Sequence, residues 1–550
     1  MKQEVAVARP EGYDRRWWVL AVLCLSLLTI GVDNTILNVA LPTLVRSLHA
    51  SDSQLQWVVD AYVLVFASLL LTTGSLSDRF GRRSALGLGL LIFGIGSVAS
   101  AFAGSANILT ATRAFMGLGG ALIMPSTLSI LTNVFPAEER GRAIGIWAGV
   151  SGLGVAIGPV VGGALLEHFW WGSVFLVNVP VVIIGIVGGR LIVPNSKDPS
   201  APRIDIPGAL LSIVGLVTLV YGIIEVPNYG WGSAGILTAF AVAAVVLVSF
   251  VLWERRTPQP MLKIEFFRNP RFTAASVSVT LIFFALFGSL FFITQELQFV
   301  LGYSPLSAGL RLAPVALVMA ISAPTAGRLV EIIGNKAMVF LGMVLCAIGL
   351  FVLGTATVHS GYGLIISSLM LLGIGIGFAI APATESIMGS LPPAKAGIGS
   401  AMNDTTRQVG GALGVAILGS VFSSAYTVKL APALVGAPAS VAKAATSSVG
   451  AALATAQKLG GAAGQALTVA ARSSFVHAMD RALIAGSIIA LAGALVALLW
   501  LPNRARPEAP VPGAETAGAE GAGTETGETL DPDLELALEG EEVESVGSGD

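Results

Sequence analysis

Asp33 lies within a long apolar stretch, in the segment Gly31-Val32-Asp33-Asn34-Thr35-Ile36-Leu37-Asn38-Val39-Ala40-Leu41-Pro42. A charge at the centre of a bilayer costs about 2.5–3.5 kcal/mol on insertion scales, so a carboxylate there is usually functional. Held in a poorly solvated cavity, it can take a proton from one side of a membrane and release it to the other as access alternates. The plainer role is a structural bond to a neighbouring helix; the cost of burial favours proton coupling. Arg113, in Arg113-Ala114-Phe115-Met116-Gly117-Leu118-Gly119-Gly120, is a second charge inside an apolar run. A guanidinium stays protonated and needs a partner or water. Counted along their helices, Arg113 and Asp33 fall about 9 Å and about 16 Å from the same membrane face. A long side chain bridges much of that difference; the competing reading is that Arg113 snorkels outward.

A third group lies between two apolar stretches, in Gly74-Ser75-Leu76-Ser77-Asp78-Arg79-Phe80-Gly81-Arg82-Arg83. So short a link between two membrane helices demands a tight hairpin, and its glycines permit positive φ and close approach. Arg79, Arg82 and Arg83 hold it on the cytoplasmic face, while Asp78 is placed to accept from a neighbouring arginine or a helix N-terminus. Four further acids are substrate candidates: Asp60, Glu225, Glu296 and Glu385, with Glu385 expected to lie deepest. Asp205 reads as a helix cap. Asp404 and Arg407, spaced i, i+3, are expected to pair with each other.

The elements that must position these groups are transmembrane helices. The chain of 550 residues is 54% hydrophobic and only 12% charged, with mean hydropathy +0.81, about half the charged fraction of a soluble domain. Windows of about 20 apolar residues give fourteen spans, among them 54–73, 84–103, 307–328, 337–357, 404–425 and 482–501. Of the 33 acidic residues, 13 fall after Asn503, leaving 20 against 29 basic residues on the remainder. Those bases recur in alternate loops, from Arg15 and Arg16 through Lys395 to Arg504 and Arg506, which predicts cytoplasmic termini. Cys24 and Cys346 lie in apolar spans and imply no disulfide. The segment 327–336 repeats the spacing of the 74–83 loop between the tenth and eleventh spans. Spans one to six then correspond to nine to fourteen, with seven and eight inserted.

The expected layout is a cytoplasmic N-terminus over 1–16, a six-helix bundle over 17–193, an inserted pair with its loops over 194–272, and a second bundle over 273–502. An Ala-, Gly- and Ser-rich external segment, 426–481, is read as partly helical and peripheral. The acidic tail, 503–550, is read as disordered.

The loop pattern Gly-x-Leu-x-Asp-Arg-x-Gly-Arg-Arg, met at every fixed position by residues 74–83, resembles that of the major facilitator superfamily. The Asp33 segment resembles the Asp-x-Thr-x-x-Asn-Val-Ala-Leu-Pro signature of its fourteen-helix drug:proton antiporters, and the Arg113 stretch resembles their fourth-helix motif. Gly149 to Gly163, with Gly154 and the ending Gly158-Pro159-Val160-Val161-Gly162-Gly163, is similar to the fifth-helix motif of exporters in that superfamily. The resemblance implies an all-α polytopic fold with a midplane cavity between two homologous bundles. It implies a proton-coupled antiporter that exports amphipathic, lipophilic cationic compounds from the plasma membrane. Asp33 and Arg113 would couple protons. The runner-up is an exporter of an endogenous metabolite or a proton-coupled importer. Some relatives that export divalent cations carry an acid in span ten, which this chain lacks.

Neither an enzyme nor an ATP-driven pump is expected, since no Gly-Lys dipeptide exists to form a phosphate-binding loop. The four histidines, His49, His168, His359 and His477, lack metal-ligand spacing. No cofactor, metal or nucleic acid is implied. The partners expected are a small amphipathic molecule, protons and the lipid bilayer, and the protein is expected to be monomeric.

Overall fold

The computed structural model describes residues 13–197, 205–391 and 396–503. Residues 1–12, Lys395 and the acidic tail from 504 onward lie outside them, as does the side chain of Asp78. The described residues form long helices and no strand. The first rods are α1 (Arg16–Leu48), α2 (Asp52–Phe80), α3 (Arg82–Ala101), α4 (Ala106–Val134), α5 (Ala137–His168) and α6 (Ser173–Ile192). The pair α7 (Ile206–Tyr229) and α8 (Ala234–Arg256) follows, then α9 (Pro270–Gln295), which ends in a π-turn over Glu296–Val300. One continuous run, Pro305–Leu353, is two rods broken at Gly334; they are α10 (305–333) and α11 (335–353). The rest are α12 (Tyr362–Met388), α13 (Ala396–Leu430), the short α14 (Ala439–Ser447) and α15 (Val449–Leu459), and α16 (Gly461–Trp500). Among the described residues, twelve helices are long and apolar enough to cross a membrane; splitting the broken run and including the 32-residue α5 gives fourteen.

Sequence dictates the sharp turns between rods. Ser51, Ser105, Ser233 and Ser304 each accept from a backbone N–H in the first turn of α2, α4, α8 and α10, satisfying a donor the helix leaves open. Asp205 caps α7 by accepting from Gly208 N at 2.9 Å and also accepts from Trp253 Nε1 at 2.8 Å. Large apolar side chains such as Leu91, Ile95, Ile184, Val245 and Leu499 remain exposed around the bundle, as a lipid-facing surface requires.

Three sequence expectations change. The 74–83 segment is not a ten-residue loop: α2 continues to Phe80 and α3 begins at Arg82, leaving Gly81 as the whole turn. Its φ of 113° and ψ of 122° lie where only glycine is unstrained. Hydropathy ends at the membrane surface, whereas backbone hydrogen bonding carries the helix several residues beyond it. The external segment is also not peripheral. α13 runs on to Leu430 and α16 starts at Gly461, and Ala445, Val449, Ala452 and Ala456 of the short helices are buried. Gly450 sits against Val45 of α1 and Phe299, and Tyr426 Oη donates to Ala445 O at 3.1 Å. Small side chains without an apolar stripe let helices approach closely, which a periodicity argument misses. The third change concerns Glu385, which is exposed in the last turn of α12 rather than deep.

The first six rods and the last six touch mainly at one end. Among the described residues, the hydrogen bonds between them run from Gln298 Nε2 to Val39 O (2.9 Å) and from Ser304 Oγ and Leu306 N to Glu167 Oε2 (2.8 and 3.2 Å). All lie at the end opposite Gly81. At the Gly81 end, bonds stay inside each half: Arg82 N to Ser196 O at 3.1 Å, and Asn335 N to Asn503 O at 3.2 Å.

Candidate functional site: a buried ion pair beside the cavity between the halves

Asp33 and Arg113 meet. Arg113 Nη1 donates to Asp33 Oδ2 at 2.5 Å, and both side chains are almost wholly removed from solvent (2% and 0% exposed). The long side chain leaves α4, crosses the face of Tyr62 with its guanidinium carbon 4.3 Å from the ring centroid, and donates Nε–H to Val58 O at 3.3 Å. The other carboxylate oxygen, Asp33 Oδ1, accepts from Asn178 Nδ2 at 3.3 Å, and the same amide donates to Ser97 Oγ at 3.3 Å. Five helices therefore fix one carboxylate. Removing one partner of such a buried pair leaves an uncompensated charge and costs about 3–5 kcal/mol.

Sequence reading missed Tyr62, Ser97 and Asn178. Asn178 was the visible one: a lone amide in the apolar run Phe175-Leu176-Val177-Asn178-Val179-Pro180, where an unpaired polar group is costly.

The glycines of α5 set the position of α1. Gly154, Gly158 and Gly162 share one helix face. A Cβ on Gly154 would stand 2.9 Å from the Gly31 Cα, one on Gly158 would stand 2.9 Å from Val32 O and strike Thr35 Oγ1, and one on Gly162 would stand 2.6 Å from Ile36 Cγ1. Those are the turns of α1 flanking Asp33. On its other side α5 meets α10: a Cβ on Gly163 would stand 2.6 Å from Pro305 O, and Gly309 closes on the Pro159 carbonyl. Pro159 lies inside α5 and removes one backbone donor there. One helix thus touches both the Asp33 helix and the opposite half at backbone distance.

A narrow cavity of about 10 Å³, room for a single water, lies where the halves meet. Arg113 forms part of its wall, with Asn34, Asn38 and Val63 from the first half and Phe287, Gln408 and Val415 from the second. Asn34 Oδ1 has no hydrogen-bond partner. The lining is apolar with amides and one cation, Arg113.

The remaining sequence candidates lie elsewhere. Asp60 is fully buried on α2 with both oxygens unpartnered, on the helix face of Gln56, which abuts Gly419 of α13. Glu225 accepts from Trp57 Nε1 at 3.4 Å and from Asn228 Nδ2 at 2.8 Å, tying α7 to α2 outside the cavity. Glu296 is buried in the π-turn after α9, within the electrostatic reach of Asp480 on α16. Asp404 and Arg407 do approach each other, at 3.8 Å, with 11% and 29% of their side chains exposed. In the turn, Arg83 Nη1 donates to Val193 O at 3.4 Å, and a Cβ on Gly74 would make only ordinary contact, 3.7 Å, with Pro125. Arg79 is exposed, its guanidinium carbon 6.0 Å from the Phe80 ring centroid.

Known proteins are similar to this chain over most of its length. The chain is 39% identical over 413 residues to the multidrug efflux pump LfrA of Mycolicibacterium smegmatis, covering 75% of this chain and 82% of that one. It is 34% identical over 512 residues to the tetracenomycin C resistance and export protein of Streptomyces glaucescens (91% and 95% covered). It is 34% identical over 418 residues to the methyl viologen resistance protein SmvA of Salmonella typhimurium (76% and 84% covered). Among solved structures, a bacterial homologue of the human lysosomal transporter Spinster, crystallised inward-facing and unoccupied, matches in fold. Its TM-score is 0.64 at 20% identity, over 90% of this chain and 99% of that one. The family model for the Major Facilitator Superfamily matches residues 23–415, well over half of the chain, and the chain belongs to that superfamily.

Proposed function

We propose that this membrane protein is a drug exporter driven by proton antiport, with amphipathic, lipophilic cationic compounds as cargo. The observation that carries the reading is the buried Asp33–Arg113 pair, whose arginine also walls the cavity between the halves. Three relatives named for multidrug efflux, tetracenomycin C export and methyl viologen resistance support the direction of transport and the amphipathic class of cargo.

The coupling follows from competition for one carboxylate. A proton on Asp33 cancels the charge that holds Arg113, and the freed guanidinium then turns to the cavity, repelling a cationic cargo. Release of the proton restores the bridge and readmits the cargo. Because α5 touches α1 at Gly154, Gly158 and Gly162 and α10 at Gly163, a shift at Asp33 reaches the seam between the halves. The 17–193 and 273–502 bundles rock about this seam, with 194–272 as an insert. The turn at Gly81, with Asp78, Arg79, Arg82 and Arg83, latches the cytoplasmic side. With both termini cytoplasmic, the contacts opposite Gly81 support reading this as the inward-facing state. The protein acts as a monomer in the plasma membrane and performs no chemical conversion.

The test is a cell stripped of its own efflux pumps. Expressing this protein should lower accumulation of a fluorescent lipophilic cation, and an uncoupler should restore it. Unchanged accumulation across a panel of cations, with transport of one metabolite instead, would refute drug export.

A further inference from the structure

On the end opposite Gly81, a groove of about 770 Å³ opens between α13, α16 and the turn joining α7 to α8. Val421, Ser424, Ala425 and Val428 line it from one face of α13, at the i, i+3, i+4, i+7 spacing that keeps side chains together. His477 and Arg481 line it at i, i+4 on α16, Lys429 stands at the end of α13, and Trp231 closes the side. Trp231 is held by stacking on Phe240, with centroids 6.0 Å apart.

We infer that this groove binds an anionic phospholipid. Two observations identify the occupant. The first is charge: Lys429, His477 and Arg481 converge, and among the described residues none of them is in an ion pair. The nearest acid in sequence, Asp480, is half-buried and lies within electrostatic reach of both Arg481 and Glu296, but it makes no ion pair among the described residues and does not line the groove. The second is depth. Between Arg481 and Trp500, the end of α16, the helix rises about 28 Å, close to the hydrocarbon thickness of a bilayer. Arg481 therefore lies at one interface, with His477 and Trp231 at headgroup level. Val421 lies about 12 Å along α13 from Lys429, which places the apolar floor in the hydrocarbon. Positive charge above an aliphatic channel fits one phosphate and the acyl chain beneath it; a free anion would leave the floor empty. The occupant bridges the inserted α7–α8 pair and the last two membrane rods.

The experiment uses the full chain, purified in a neutral detergent and titrated with phosphatidylglycerol or phosphatidylcholine, with bound lipid counted by native mass spectrometry. Phosphatidylglycerol should be retained selectively. Lys429→Gln with Arg481→Gln should weaken it roughly thirtyfold, the size expected for removing two interfacial cations, while Lys429→Arg with Arg481→Lys, which keeps the charge, should bind as wild type. Equal retention of the two lipids, displacement by glycerophosphate at matched concentration, unaltered binding in the glutamine pair, or lost binding in the charge-preserving pair would each overturn the assignment.

Discussion

Each half of the molecule carries an acid–arginine pair, and the two could hardly differ more. Asp33 and Arg113 come from different helices, meet at 2.5 Å and are sealed from solvent. Asp404 and Arg407 are neighbours on one helix, stand 3.8 Å apart and stay partly wet. The first pair cannot be broken without stranding a buried charge; the second is looser, and its arginine is partly exposed although Asp404 is itself buried. Backbone architecture shows the opposite. Gly81 and Gly334 both break a rod at positive φ (113° and 84°). In each case the next residue donates its N–H to a carbonyl just beyond the last membrane rod of its half, Ser196 or Asn503. The fold was repeated, but the sealed Asp33–Arg113 pair has no equally tight counterpart among the described residues of the second copy.

The sharpest way to break this contrast is Arg113→Ala. Stranding the Asp33 carboxylate should cost about 3–5 kcal/mol, or more than a hundredfold in coupled export, read as the initial rate of proton-driven transport in inside-out vesicles. Gly158→Val comes next. Its side chain would collide with Val32 and Thr35 of α1, and overpacking of this kind costs about 1–3 kcal/mol. Thermal unfolding in detergent should register the loss, and transport should fall further than stability does, because Asp33 lies between those contacts.

The two turns give a matched test of the repeat. Gly81→Ala and Gly334→Ala should each destabilise by about 1 kcal/mol through positive φ. Gly334→Ala should be the worse, because its Cβ meets the Asn503 carbonyl, whereas at Gly81 the neighbours are the side chains of Asn195 and Lys197. Equal melting temperatures for wild type and both variants would remove the claim that these glycines are structurally equivalent. The smallest effect belongs to Arg407→Gln, which should reduce transport by less than about threefold, as expected for a loose pair at 3.8 Å whose arginine is partly exposed. A loss as large as that of Arg113→Ala would erase the distinction between the halves.

Much of this was legible in the residues. Asp33 and Arg113 stood out because charge within an apolar run has few explanations, and counting helix rise brought them within one side chain of each other. The Gly158-Pro159 motif was legible as a close-packing face, but not its target: that α5 rests on the turns around Asp33 is a fact of three-dimensional contact. The acids beyond Asp33 were harder. Depth read from hydropathy placed Glu385 inside, whereas α12 ends three residues later and leaves it exposed. Glu225 serves as a clasp for Trp57 and Asn228. Asn178 went unremarked because an amide carries no charge to flag it, although its partner is the central carboxylate. The external helices hid for a similar reason, since alanine and glycine pack by closeness rather than by an apolar stripe.

The central claim is that Asp33 exchanges its arginine for a proton during transport. Its most direct test is substrate-induced proton movement in proteoliposomes of known orientation, comparing wild type with Asp33→Asn at matched insertion. The asparagine keeps the size of the side chain and one of its two acceptors but cannot be protonated or ionised. Wild type should release protons when cargo binds. The variant should release none and should bind a cationic cargo weakly, because a neutral side chain leaves Arg113 free as a protonated Asp33 would, and its residual export should no longer respond to the proton gradient. Proton release of wild-type size in Asp33→Asn would contradict the account outright and move the coupling to another carboxylate.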